Sequence, residues 1–113
     1  PFVDKIDQQI MFAEKSWGSF RVLDIEDESM TIKVTLMPGH KMNYHSHERR
    51  DEVWTIIQGN GQAILDDEIK DVRPGDVLTM KAGCKHTIAA VTELKLIEVQ
   101  LGKEISVKDK IKY

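Results

Sequence analysis

The sequence predicts an all-β domain, either a sandwich or a barrel. Short apolar or alternating runs recur about every eight to twelve residues, which is how such folds announce themselves. Turn-forming pairs separate the runs, and apolar residues at helical spacing are almost absent. A chain of 113 residues is also the size of one domain around one core, so residues 1–113 are read as a single unit.

Taken in order, candidate strands cover residues 20–25, 30–36, 41–44, 52–58, 62–65, 69–72, 77–80, 86–90 and 94–99. Between them stand Pro38-Gly39, Gly59-Asn60-Gly61, Asp66-Asp67, Pro74-Gly75 and Ala82-Gly83, residues that tolerate tight or left-handed turns. In the second strand Ile32, Val34 and Leu36 share one face and Thr31, Lys33 and Thr35 the other, which predicts a core face and a wet face. In the last strand the phase breaks. Leu94 and Leu96 put Glu98 on their own face, so either Glu98 points inward or a bulge at Ile97 resets the register. Residues 4–13 read as a short strand or a turn of helix, and residues 103–113 as an edge strand or a tail.

Composition narrows the function classes. Apolar residues make up 41% of the chain and charged residues 31%, enough apolar surface for a core and too much for disorder. Sixteen basic and nineteen acidic side chains are scattered, for a net charge of −3, so neither nucleic acid nor an anionic membrane is an expected partner. No apolar stretch approaches the roughly 20 residues that span a bilayer, and the N-terminal residues lack a secretory layout. A cytoplasmic location is expected, although the missing initiator Met leaves room for upstream residues. Cys84 is the sole cysteine, which rules out an internal disulfide, suits a reducing compartment, and reads as an incidental or buried thiol.

The chemistry lies in two segments. From Gly39 to Gly59 the chain fits G(x)5HxH(x)4E(x)6G without a gap. His45 and His47, two apart on a strand, leave the same face about 6 to 7 Å apart and can close on one ion. Glu52 opens the next strand, which can return antiparallel beside the first. The second segment, from Gly75 to Ala90, fits G(x)5PxG(x)2H(x)3N in its glycines and in His86, with Lys81 at the Pro position and Ala90 at the Asn position. His45, His47, Glu52 and His86 together make three imidazoles and one carboxylate. Such a set suits one divalent transition metal, Zn, Mn, Fe, Co or Ni, rather than Ca or Mg, which prefer all-oxygen shells. Four protein ligands on an ion that accepts about six leave room for substrate oxygens.

Other residues read more plainly. His40 lies outside the spacing and is expected in solvent. Trp17 and Trp54 are expected in the core or at the barrel mouth. Arg50 is either part of a solvated turn or an anion-binding guanidinium.

The two segments resemble the motifs of the cupin superfamily, which implies a double-stranded β-helix, a jelly-roll barrel with the metal inside. A closer resemblance runs from KSWGSFRVLD through MPGHKMNYHSHERRDEVWTIIQGNGQAILD to LKLIEVQLG. Over nearly the whole chain it resembles the C-terminal isomerase domain of type II mannose-6-phosphate isomerases, often fused to a guanylyltransferase. These residues carry no Gly-rich nucleotide loop or α/β pattern, so nucleotidyl transfer is not expected of them. The resemblance implies interconversion of mannose 6-phosphate and fructose 6-phosphate, a proton shift between C1 and C2 beside a metal that polarises the oxygens. His47, Glu52 and His86 match the family's ligand positions and Arg50 matches an arginine after the histidines. The family carries Gln in place of His45 and His in place of Val53.

An isomerase needs a base and a cationic patch for the phosphate. Glu98 is the candidate base if it faces the barrel. Lys33, Lys41, Arg50, Lys81 and Lys85 are the candidates for phosphate, with Arg50 favoured. Two other readings fit the same residues: an iron-dependent oxygenase, and a sugar-binding module without turnover. A homodimer formed through sheet edges is expected.

Overall fold

The computed structural model describes residues 11–113 except Glu104, Ser106 and Val107. In chain order the strands are β1 (Phe12–Lys15), β2 (Gly18–Ile25), β3 (Ser29–Leu36), β4 (His45–Ser46), β5 (Asp51–Gln58), β6 (Gly61–Leu65), β7 (Glu68–Val72), β8 (Val77–Met80), β9 (His86–Ala90), β10 (Leu94–Leu101) and β11 (Ile111–Lys112). Six of them form one sheet in the order β1-β2-β3-β10-β5-β8, and five form a second in the order β11-β4-β9-β6-β7. Every pairing is antiparallel. This is the double-stranded β-helix of the cupins. No helix among the described residues is long and apolar enough to cross a membrane.

Alternation drives the packing. On β3 Met30, Ile32, Val34 and Leu36 are buried, while the intervening residues are half-buried rather than wet. Leu36, Leu94 and Leu96 are each 0% exposed, and burying such a side chain contributes roughly 2 kcal/mol. Trp54, also fully buried, fills the centre of β5. Between β6 and β7 the pairing of Leu65 with Glu68 leaves a two-residue turn. Asp66 and Asp67 occupy it with φ of 46° and 68°, the left-handed pair that matches strand twist in a tight hairpin. Gly59 (φ 79°) allows β5 to turn where a Cβ would meet the Glu93 carbonyl oxygen at 1.9 Å.

Three expectations change. The strand expected over 41–44 is absent: Lys41 makes an isolated bridge to Ala89, and strand pairing begins only at His45. The segment expected over 4–13 falls largely outside the described residues, but Phe12–Lys15 forms β1, which precedes the first expected strand. On β10 no bulge occurs at Ile97. The register shifts between Lys95 and Leu96, opposite β5, where Lys95 faces Gln58 and Leu96 faces Ile56. Ile57 is the extra residue there and is exposed. The alternation downstream is kept, so Glu98 and Gln100 point inward with Leu94 and Leu96.

Candidate metal centre

The two sheets each bring part of the site. In the second, β4 pairs with β9 so that His45 lies directly across from His86. In the first, β5 carries Glu52 on its inner face. Glu52 therefore does not return beside His45 and His47 as a neighbouring strand; it approaches them from the opposite sheet. His47 lies one residue beyond β4, in a loop held by the Gly83 amide, which donates to the His47 carbonyl at 2.7 Å. One ligand atom from each of His45, His47, Glu52 and His86 lies within 4.8 Å of the others, and all four residues are buried. His40 is exposed, and its Nδ1 is 3.0 Å from the Pro38 carbonyl oxygen.

The hydrogen bonds behind the histidines decide which way their lone pairs point. His45 Nδ1 is 2.6 Å from the Asn43 carbonyl oxygen, His86 Nδ1 is 2.9 Å from that of Cys84, and His47 Nδ1 meets that of Asp109. A carbonyl can only accept, so each Nδ1 carries the hydrogen and each Nε2 turns its lone pair toward the centre, that of His47 also accepting from Arg50 Nη2. Glu52 faces two of them, with Oε2 3.2 Å from His47 Nε2 and Oε1 3.2 Å from His86 Nε2. Glu52 Oε1 and His86 Nε2 are buried yet lack a hydrogen-bond partner, because acceptor faces acceptor. A cation among these atoms satisfies them all, and the donor set, three neutral imidazoles and a carboxylate, fits a divalent transition ion.

The electrostatics agree. Burial pushes His45 down to about 3, helped by His86, Lys110 and His47. Burial also lowers His47, with Arg50 assisting and Glu52 opposing. Burial works against the Glu52 anion, but the Arg50 guanidinium, whose Nε donates to Glu52 Oε2 at 2.9 Å, opposes it and favours the ionised carboxyl. Burial thus favours neutral His45 and His47, the form in which an imidazole binds a metal.

Arg50 belongs to the site, not to a solvated turn: it is 9% exposed. Its Nε donates to Glu52 Oε2 at 2.9 Å and its Nη2 to His47 Nε2 at 3.1 Å. A cavity of about 280 Å³ opens in front of Arg50, His45, His47 and Glu52. His86 sits behind them, edge-on to Trp54 with ring centroids 5.4 Å apart. Glu98 lines the same cavity, where its Oε1 accepts from Trp54 Nε1 at 2.7 Å and its Oε2 from Gln100 Nε2 at 2.6 Å. Burial, with the Glu52 charge, pushes Glu98 up to about 7, against the pull of Gln100, Arg50 and Trp54.

Of the lysines suggested for phosphate, none of Lys33, Lys41, Lys81 and Lys85 lines this cavity; Lys15 and Lys110 do. Lys85 lies over the Tyr113 ring and Lys81 pairs with Asp51. Trp17 lines the mouth, packed on the core, and Cys84 is a half-buried free thiol. Sequence reasoning also missed Gln100, whose only signal was its place two residues beyond Glu98 on an inward face.

The family model for the mannose-6-phosphate isomerase C-terminal region matches residues 4–113. A mannose-1-phosphate guanylyltransferase from Salmonella muenchen is 28% identical over 100 residues, 87% of this chain and 21% of that protein. The chain thus spans about a fifth of the length of such relatives. Among solved structures, oxalate decarboxylase from Bacillus subtilis superposes with a TM-score of 0.77 at 23% identity, over 88% of this chain and 28% of that one. An RmlC-like cupin from Shewanella frigidimarina does so with a TM-score of 0.71 at 22% identity, over 79% and 81%. At such identities the structural likenesses bear on the fold, whereas the match across residues 4–113 is one of sequence: the chain belongs to the mannose-6-phosphate isomerase C-terminal family.

Proposed function

We propose that this domain is a metal-dependent sugar-phosphate isomerase that interconverts mannose 6-phosphate and fructose 6-phosphate. The observation that carries the reading is the pairing, in one cavity, of inward-facing ligand atoms with Glu98, a buried carboxyl poised at about 7. His45, His47, Glu52 and His86 would hold the ion, and when bound it supplies Lewis acidity toward the carbonyl and hydroxyl oxygens at C1 and C2.

Aldose–ketose isomerisation moves one proton between those carbons, so it needs a group that takes a proton and gives it back. Glu98 is suited to that task, because a base with a pKa near the working pH is effective in both directions. Trp54 and Gln100 hold both carboxylate oxygens in place, and burial keeps the anion basic. On the inner face Glu98 sits opposite Trp54, diagonal to Glu52, which sets their backbones roughly 7 Å apart. Glu98 takes the C2 proton of the open-chain aldose and delivers it to C1, while a proton passes from the C2 hydroxyl to the oxygen at C1. Arg50 steadies Glu52 and His47 at the edge of that space.

The test is to measure bound metal, then incubate the loaded protein with mannose 6-phosphate without oxygen and follow fructose 6-phosphate. Product, with solvent hydrogen appearing in it, is expected. No product from fully loaded protein defeats the isomerase reading. Oxygen consumption with an iron-loaded sample would point to an oxygenase, and a ligand-dependent rise in melting temperature without turnover to a binding module.

A further inference from the structure

The cavity gathers more positive charge at its mouth than a metal site needs. Lys15, at the end of β1, and Lys110, just before β11, both line it. Neither ammonium pairs with a carboxylate among the described residues, whereas Lys81 and Lys95 pair with Asp51 and Glu93. Lys15 lies 5.8 Å from the centre of the Phe20 ring, itself part of the cavity wall. Loss of water lowers Lys110 from the ordinary lysine range, and the charges of Lys112, Lys15 and Arg50 lower it further, against the opposing pull of Glu52. Two ammonium groups lining one cavity, neither paired with a carboxylate among the described residues, favour the arrival of an anion.

The chain on either side keeps Lys110 in place. Asp109, its neighbour, accepts the Glu48 and Arg49 amides on its carboxylate, each at 2.8 Å. Ile111 and Lys112 pair with Ser46 and His45 of β4. Lys110 is thus carried by a strap tied down before and after it. Arg50, the residue favoured from sequence for the phosphate, aims its guanidinium at Glu52 and His47 instead.

We propose that Lys15 and Lys110 form an anion subsite at the cavity mouth that takes the phosphate of a phosphorylated sugar, leaving the carbonyl end to reach the three-histidine centre. The sugar part of this assignment rests on the isomerase reading above; the anion part does not. Both lysines line the one cavity although they lie near opposite ends of the described residues, and a phosphate dianion offers enough acceptor oxygens for both.

The test titrates the full chain, metal-loaded and metal-free, with inorganic phosphate, mannose 6-phosphate and mannose. Lys15→Gln and Lys110→Gln are compared with wild type. Wild type should bind inorganic phosphate in both metal states, and phosphate should compete with mannose 6-phosphate. Each variant should weaken both phosphate ligands about tenfold, equivalent to about 1.4 kcal/mol, with mannose binding, metal content and melting temperature unchanged. Wild-type affinity in the variants, no phosphate binding by wild type, or binding that vanishes with the metal would each overturn the subsite. Lysine-dependent binding of mannose 6-phosphate without fructose 6-phosphate formation would sustain the subsite and defeat the isomerase reading.

Discussion

Replacing Asp109 with Ala should loosen the metal centre from outside it. The carboxylate accepts the amides of Glu48 and Arg49 at 2.8 Å each, in the segment joining His47 to Glu52, and the Asp109 carbonyl orients His47 Nδ1. Two hydrogen bonds to a charged acceptor contribute roughly 3–6 kcal/mol after exchange with water, which corresponds to a fall in melting temperature of about 10–25 °C for a domain of this size. The carbonyl survives the substitution, but its position depends on the strap that the carboxylate pins. Groups that orient a metal-bound histidine typically change affinity by about 10- to 100-fold. Chelator competition with zinc or cobalt, well below the melting temperature, should show a loss in that range for Asp109→Ala. Asp109→Asn, which keeps one acceptor, should lose less. A lowered melting temperature together with wild-type metal affinity would refute the reasoning, since the strap would then stabilise the fold without positioning His47.

Glu98 predicts a pH dependence. Its carboxyl is raised by burial to about 7 from an ordinary 4.5, so the folded state holds the proton more tightly than the unfolded one. The associated stability is complete below about pH 4.5 and is lost as pH rises through 7, up to about 3 kcal/mol at about 1.4 kcal/mol per pH unit. In metal-free protein the lowered His45 and His47 act in the opposite sense below about pH 6.5, so the readout is the difference between proteins: in denaturant titrations from pH 5 to 8 wild type should lose stability relative to Glu98→Gln as pH rises, and parallel curves would count against a buried, proton-binding Glu98. Gly59→Ala should cost at least about 2 kcal/mol, because φ is 79° and the new Cβ would lie 1.9 Å from the Glu93 carbonyl oxygen. Urea unfolding checks this, and a change under 0.5 kcal/mol would mean that the β5–β6 turn can relax.

The four-residue cluster was legible because its spacing is local. His45 and His47 share a short segment with Glu52 between Gly39 and Gly59, and Gly75 and Gly83 precede His86 at fixed spacing. The inward position of Glu98 was half legible: the broken alternation on β10 allowed an inward carboxyl, but its partners Trp54 and Gln100 depend on cross-strand register. That register depends on the irregularity opposite Ile57, which no composition signal marks. The assignment of His47 to a strand failed because β4 ends at Ser46, and what holds the imidazole is a carbonyl 62 residues away. Lys15 and Lys110 escaped notice for the same reason. They lie in the first and last described strands' neighbourhoods, and only closure of the barrel brings them to one mouth. Strand β1 was hidden by its burial pattern, since three of its four residues are exposed and show no apolar alternation.

Quantifying metal in purified wild type and in Glu52→Ala, His86→Ala and His40→Ala tests the centre most directly. The geometry predicts close to one transition ion per chain in wild type and His40→Ala, and loss of at least most of it in the other two. Equal metal content in all four proteins, or none in wild type dialysed against each candidate ion, would contradict a site built from these side chains.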